Sequence, residues 1–245
     1  MTRRTVLTAR TNPALLALTL ILCGLAQAQG DVFTRAMRDE MERTTSQLQL
    51  QKMDKPYFIA YRIDDINRTS VSATLGSVTE QQPLRMRMVG VEVRVGDYAL
   101  DNSNYVSLRS FGGGRGMFSS IRQASIDDNY GRIRSALWFA TDGQYKKALE
   151  DLSAKRAVLE NHTHTDEIPD FSKEPPATDN QPPETTQANL DELKALARTL
   201  SAVFRGAPDI CNSSVDLQYV NDYTRYLNSE GSSFSRAMPV FKLKI

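Results

Sequence analysis

The segment from Lys55 to Asp101 carries the longest regular alternation of apolar and polar positions in the chain. Apolar residues recur at every second position, the repeat of strands that bury one face and leave the other in water. Polar stretches at Asp64–Asn67 and Glu80–Pro83 interrupt the repeat and are typical of turns. The pattern therefore predicts a three-stranded antiparallel meander.

The phase of this alternation changes at Val89-Gly90. Met86 and Met88 are apolar at even positions, whereas Val91 and Val93 are apolar at odd positions. A strand that keeps both halves buried must absorb one extra residue, and glycine is common where that happens. The sequence predicts a β-bulge at this point.

Other stretches repeat apolar residues at helical spacing and predict amphipathic helices. They are Asp31–Leu50, a helix capped by Asp127-Asp128 with Trp138 on its core face, a second helix that starts at Asp142 and runs to Leu159, and Leu190–Phe204. Strand alternation then returns between Val215 and Ile245. The predicted fold class is α+β: an antiparallel or mixed sheet packed by amphipathic helices, with a second strand-rich segment after a proline-rich linker.

Prolines between Pro169 and Pro183 mark the clearest internal boundary. We expect an N-terminal α+β domain over 29–164 and a stiff, solvated proline-rich linker over 165–187. Residues 188–245 then form a helix and the start of a strand-rich domain. The strand pattern stops at Ile245, so we expect a truncated domain with an uncovered sheet edge.

Residues 1–28 predict a signal peptide. A basic leader precedes an apolar run from Ala14 to Ala26, and Ala26-Gln27-Ala28 provides small residues for cleavage. The run is shorter than the roughly 20 residues that span a bilayer, so we expect no stable membrane span. The mature protein is expected to be periplasmic or secreted after cleavage near Ala28. A lipoprotein acylated at Cys23 and an uncleaved anchor are the alternatives.

Thirty basic and 29 acidic residues give a formal net charge of +1. This balance provides no general attraction for nucleic acid, so no nucleic-acid partner is predicted. The glycine-rich string Phe111–Met117 lacks the Lys-Ser/Thr ending of a phosphate-binding loop and predicts a flexible surface loop.

Candidate chemistry is confined to a cysteine and a histidine pair. Cleavage of the leader leaves Cys211 as the only cysteine, which excludes an intramolecular disulfide and favours a packing role over a nucleophilic one. His162 and His164 stand one residue apart beside Asp166 and Glu167, so an extended segment could direct both imidazoles to a metal. A polar linker is the alternative, and we expect no specific metal site because no second ligand pair has suitable spacing.

Several short motifs, in order, resemble the TldD/PmbA family of metallopeptidase-like proteins, also called DNA gyrase modulators. They are Ala36–Met41, Lys55–Tyr61, Val93–Tyr98 with Asp101-Asn102, Ala136–Asp142, Pro169–Ser172 and Arg225–Gly231. The last is similar to the Asn-Ser-x-Gly turn of that family. The resemblance covers most of the chain from Asp31 to Met238 and concerns the family's N-terminal region only.

The resemblance implies zinc-dependent proteolysis of small or unfolded peptides, often by paired subunits. Catalytic members hold zinc in the C-terminal half, on a His-Glu-x-x-x-His helix, and this chain has no such sequence. We therefore predict no catalytic, cofactor-binding or metal-binding residue. The expected protein is a non-catalytic module, truncated or degenerate, that acts through a paired TldD/PmbA-like subunit or an extended peptide. The alternatives are a stand-alone periplasmic zinc hydrolase using the His162/His164 segment and an inert gene fragment.

Overall fold

The computed structural model of the chain describes residues 31–104, 120–160, 168–183 and 187–245. The elements in chain order are α1 (Val32–Gln47), β1 (Pro56–Thr74), β2 (Ser77–Val95), β3 (Ser120–Ala124), α2 (Tyr130–Leu159), β4 (Thr178–Asn180), α3 (Leu190–Ala202), a 3-10 turn (Val203–Gly206), β5 (Val215–Asn228) and β6 (Ser233–Lys244). The predicted α+β class is confirmed. The leader with Cys23, the glycine-rich string and both histidines lie outside the described residues. Among the helices described, none is long and apolar enough to span a bilayer.

A single sheet of six strands, in the order β3-β2-β1-β5-β6-β4, organises the fold. Neighbouring strands are antiparallel except β4 and β6, which are parallel. β5 pairs with β1 from Ala60↔Asn228 to Ala73↔Val215. Strands on both sides of the proline-rich segment therefore lie in one sheet.

The predicted three-stranded meander is wrong, because β1 and β2 are two 19-residue strands of one long hairpin. The chain turns at Leu75 and Gly76, whose φ angles are 45° and 78°. Both predicted turns lie inside paired strands, with Asp64 opposite Met88 and Glu80 opposite Ser72. Tertiary partners hold the acidic residues of the first stretch, since Asp64 accepts a hydrogen bond from Thr224 and Asp65 accepts from two arginines. Glu80–Pro83 is instead an exposed part of β2.

The predicted bulge at Val89-Gly90 is also wrong, since the register of β1 and β2 is continuous there. The pairing instead shifts between Ser72 and Ala73. Arg87 is only 1% exposed and alternates in phase with buried Val89 and Val91. The apparent change of phase in the apolar pattern arises because one of the inward positions of β2 is occupied by a buried arginine and not by an apolar residue.

The helices pack on one face of the sheet, which we call the helix face. Residues directly opposite on paired strands share a face, and both core clusters draw on odd-numbered residues of β1 and β5. One cluster joins α1 and α2 to Ile59, Tyr61 and Ile63, and the other joins α3 to Val71, Ala73 and neighbours on β5. The even-numbered residues of β1 form the opposite face.

One continuous α2 of 30 residues replaces the two predicted helices. The Asn129 side chain accepts a hydrogen bond from the Arg132 N–H and so caps its start. Asp142, predicted to start the second helix, lies mid-helix and pairs with Lys146 four residues on. Trp138, expected in the core, is 42% exposed.

Candidate functional site

Residues from the motifs converge where β2 ends, around the buried carboxylate of Asp101. Its Oδ2 atom accepts hydrogen bonds from Tyr57 Oη at 2.5 Å and Arg94 Nη1 at 3.0 Å. Its Oδ1 atom accepts from the Ser103 N–H at 2.6 Å and the Ser103 hydroxyl at 2.5 Å. Both oxygens of Asp101 are thus fully engaged.

Lys155 of α2 extends this network to the proline-rich segment. Its Nζ atom donates to the Asp170 carboxylate, to the Asp101 carbonyl at 3.1 Å and to the Ser103 carbonyl at 2.7 Å. The Asp101 N–H also donates to Asp170 Oδ2, at 2.9 Å. The network therefore fastens both α2 and the Asp170 segment to the end of the sheet. We call these groups (Tyr57, Arg94, Asp101, Ser103, Lys155 and Asp170) the Asp101 network.

Aromatic contacts on the opposite face continue the Asp101 network. The Phe171 ring packs edge-on against Phe58, with centroids 5.0 Å apart, and the Arg94 guanidinium lies 3.9 Å from the Phe171 centroid. The Tyr98 hydroxyl donates to Glu230 in the turn between β5 and β6. In the same turn, Ser229 Oγ accepts a hydrogen bond from the Ile59 N–H at 3.0 Å.

The electrostatics of the Asp101 network favour the ionised form of Asp101. Burial alone would raise the pKa of Asp101, but hydrogen bonds from Ser103 and Tyr57 and the charge of Arg94 outweigh it, so the pKa lies below its ordinary value. Burial, followed by the hydrogen bond to Asp101, raises the pKa of Tyr57. A carboxylate with a lowered pKa and with both oxygens engaged in hydrogen bonds is a poor general base. This arrangement instead fastens α2 and the Asp170 segment to the end of the sheet.

A second buried cluster lies on the helix face beneath α1. Arg87 Nε donates to Asp65 Oδ1 at 2.6 Å, and Arg225 Nη1 donates to Asp65 Oδ2 at 2.7 Å. Both guanidiniums lie over the Phe33 ring, at 4.3 and 4.2 Å from its centroid. Arg225 also pairs with Asp31, the N-cap of α1. The cluster therefore orients α1 on the sheet.

Asp222 lies half-buried on the opposite face, between Ile66 and Met238 on the neighbouring strands. Its Oδ1 atom is buried and has no hydrogen-bond partner among the described residues. Burial, and then the charge of Asp64, raises the pKa of Asp222 to about 6. Folding therefore favours the protonated carboxyl.

We expect Asp222→Asn to stabilise the protein above pH 6. The folded-state pKa of Asp222, about 6, exceeds the ordinary value of 3.8. The native protein therefore loses stability as the pH rises from 3.8 to about 6, and the variant does not. Half-exposure limits the gain to about 1 kcal/mol. Thermal unfolding at pH 4 and pH 8 checks this, with exposed Asp209→Asn as control. An equal gain at both pH values would contradict the stated cause.

In the described ranges, the outer side of β6 is unpaired beyond β4. β4 pairs only with Ser233–Ser235, so Arg236–Lys244 has no strand on its outer side within the described parts of the chain. We call this stretch the open edge. Its apolar side chains are exposed: Met238 47%, Val240 38%, Phe241 50% and Leu243 49%.

Of the candidate residues named from the sequence, Cys211 lies in the described part of the chain. Cys211 is exposed rather than packed, so the predicted packing role is wrong. Its segment follows the 3-10 turn and does not yet belong to β5, which begins at Val215. In the described ranges, no group of three or more His, Cys, Asp or Glu residues is arranged to hold a metal.

The residues that organise these clusters were not identified from the sequence. Arg87, Lys155 and Asp222 each resembled ordinary surface positions in their patterns. One usable signal was Arg87, which keeps the phase of the valines that follow it. A charged residue in phase with a buried run indicates a buried ion pair.

Comparison with known proteins gives matches among solved structures. TldE from Thermococcus kodakarensis is 10% identical, with a TM-score of 0.46 over 85% of this chain and 38% of that protein. A putative modulator of a DNA gyrase from Thermotoga maritima is 11% identical, with a TM-score of 0.35 over 76% of this chain and 34% of that one. A putative modulator of DNA gyrase from Bacteroides thetaiotaomicron is 10% identical, with a TM-score of 0.42 over 86% and 39%.

These names agree with the family that the sequence motifs resemble. The chain spans only 34 to 39% of the length of the three solved proteins. No protein-family model and no curated protein matches the chain.

Proposed function

We propose that this chain is a secreted, non-catalytic module of the TldD/PmbA type that acts by binding a paired subunit or an extended peptide. The observation that carries the binding role is the open edge. An unpaired strand with exposed main-chain groups is a site where another strand adds. The family assignment is supported by the motifs, because residues of four of them meet around Asp101 and Phe171.

Zinc does not fit the residues in the way that the family resemblance implies. The two histidines of the chain are His162 and His164, one residue apart. A helical His-Glu-x-x-x-His site instead separates its histidines by five residues, about 1.4 turns, and has a glutamate between them in the sequence. No catalytic step is therefore assigned to zinc in this chain.

We expect the purified protein to bind no stoichiometric zinc and to leave unfolded casein uncleaved. The measurements are metal content after incubation with zinc and mild chelation, and casein hydrolysis with and without added zinc. The His162→Ala variant is the control for the histidine pair. Bound zinc that is lost in that variant, together with casein cleavage by the unaltered protein, would establish the zinc-hydrolase alternative.

The binding role is tested by co-expression with a TldD/PmbA-like subunit that carries the His-Glu-x-x-x-His helix. We expect co-elution from size-exclusion chromatography at the combined mass. Separate elution, with the chain a monomer that also binds no extended peptide, would favour an inert fragment instead.

A further inference from the structure

Main-chain hydrogen bonds show which groups of β6 point outward. The Ser233 N–H donates to the Ala177 carbonyl at 2.9 Å, and the Gln181 N–H donates to the Ser235 carbonyl at 2.7 Å. The main-chain N–H and C=O groups of every second residue point to the same side of a strand. The N–H and C=O groups of Ala237, Phe241 and Leu243 therefore also point outward. Pro239 offers a carbonyl there but no N–H.

Two features end the pairing with β4 and leave these groups without a strand partner among the described residues. In the parallel pairing, every second residue of the β4 segment donates its N–H to β6. The next donor after Gln181 would be Pro183, which has no N–H. The Gln181 carbonyl is occupied by the Tyr223 hydroxyl at 2.8 Å and the Ser235 hydroxyl at 3.0 Å. β4 therefore cannot continue along β6.

The side chains of the open edge carry charge of one sign. Arg236, Lys242 and Lys244 occupy even positions on one face of β6, and Ser233–Ile245 contains no Asp or Glu. None of these three cations has an ion pair within the described residues. Two carboxylates of β5 lie in register on this face. Asp216 is opposite Lys244 and already accepts hydrogen bonds from Ser72 and Ser214, and Asp222 is opposite Met238.

From this geometry we propose that the open edge binds an extended acidic segment of another protein by strand addition. The inference rests on the proposed binding role and specifies the chemistry of the partner. Such a strand would place Asp or Glu beside Lys242, Lys244 and Arg236, and apolar residues beside Met238 and Val240. Its main chain would bond to Ala237, Phe241 and Leu243.

A second copy of this chain is a poorer occupant. Antiparallel pairing of two β6 strands centred on Val240 would place Arg236 opposite the Lys244 of the other copy. Parallel pairing in register would place each cation beside its own equivalent. Like charges directly opposite destabilise a strand pair, so a partner of opposite sign is favoured over a second copy in either of these registers.

The test uses fluorescence anisotropy with a synthetic extended peptide of alternating valine and threonine, with glutamates placed to face the three cations. A second peptide has lysine at the glutamate positions. We expect salt-sensitive binding of the acidic peptide and at least about tenfold weaker binding of the basic one. Equal binding of both, or of neither, would overturn the inference.

Two changes test the geometry. The Lys242→Glu/Lys244→Glu variant should lose the acidic peptide by about tenfold or more, whereas Arg38→Glu/Lys173→Glu, which alters the same number of exposed charges off β6, should not. N-methylation of the peptide amides that face β6 should abolish binding, and methylation of the alternate amides should not. Insensitivity to both changes would overturn strand addition.

Other occupants have their own readouts. Binding to phosphatidylglycerol vesicles without peptide binding would assign the cations to a lipid surface and overturn the inference, as would a dimer that persists in 1 M salt and excludes the peptide. A TldD/PmbA-like subunit that still co-elutes with Lys242→Glu/Lys244→Glu would leave the proposed function intact and overturn only this inference. Acidic-peptide binding by a chain that also hydrolyses casein would leave this inference intact and overturn the proposed non-catalytic function.

Discussion

Asp65→Ala is expected to lower the free energy of unfolding by about 3–5 kcal/mol. The carboxylate of Asp65 bridges two guanidiniums, and the Arg87 side chain is 2% exposed while that of Arg225 is 10% exposed. Its removal leaves two nearby positive charges facing each other in a site with little access to water. Urea unfolding at pH 7, followed by circular dichroism, measures the loss.

Asp128→Ala is the matched control for this experiment. Asp128 also accepts a hydrogen bond from Arg87, at 2.8 Å, but its side chain is 60% exposed. The expected loss is about 1 kcal/mol or less, because water screens the pair. Equal losses in the two variants would contradict the bridging role of Asp65.

Lys155→Ala is expected to destabilise the protein by about 2–4 kcal/mol. The ammonium group lies in a buried part of the Asp101 network, and its loss leaves Asp170 and two carbonyls without their shared donor. The variant should also loosen the attachment of the proline-rich segment. The Phe171 N–H, which donates to the Tyr98 carbonyl at 3.1 Å, should then exchange with solvent faster.

Lys147→Ala is the control on the same helix. Lys147 pairs with Asp151 one turn away, and its side chain is 48% exposed. A loss of about 0.5 kcal/mol or less is expected, with no change in exchange at Phe171. Destabilisation by Lys155→Ala without faster exchange would show that Lys155 stabilises α2 alone.

The sequence predicted local structure best where one periodicity extended over many residues. The amphipathic α1 and α3 and the strand character of Pro56–Val95 follow from side-chain repeats that local geometry imposes. It failed at Asp64–Asn67, because residues that favour turns locally lie inside a strand here, with Asp65 bound by the buried Arg87 and Arg225. The motif resemblance identified segments that meet around Asp101, but not the contacts between them.

The open edge likewise combines features that the sequence predicts with one that only tertiary pairing decides. Alternation and the cationic composition of Arg236–Lys244 are readable directly from the residues. Which neighbour β6 takes is decided by pairing between distant segments. β5 covers one side along its length and β4 covers only the first residues of the other.

By itself the sequence determined the fold class, the positions of the main helices and the balance of charge, because these depend on local periodicity and composition. Only the tertiary structure decided that β1 and β2 form one hairpin, that Asp65 bridges two arginines, that Asp101 is a buried carboxylate, and that β6 has an open edge. Those features depend on contacts between residues far apart in the chain, such as Asp65 with Arg225. Burial and pairing of that kind leave no periodic signal in the residues that form them.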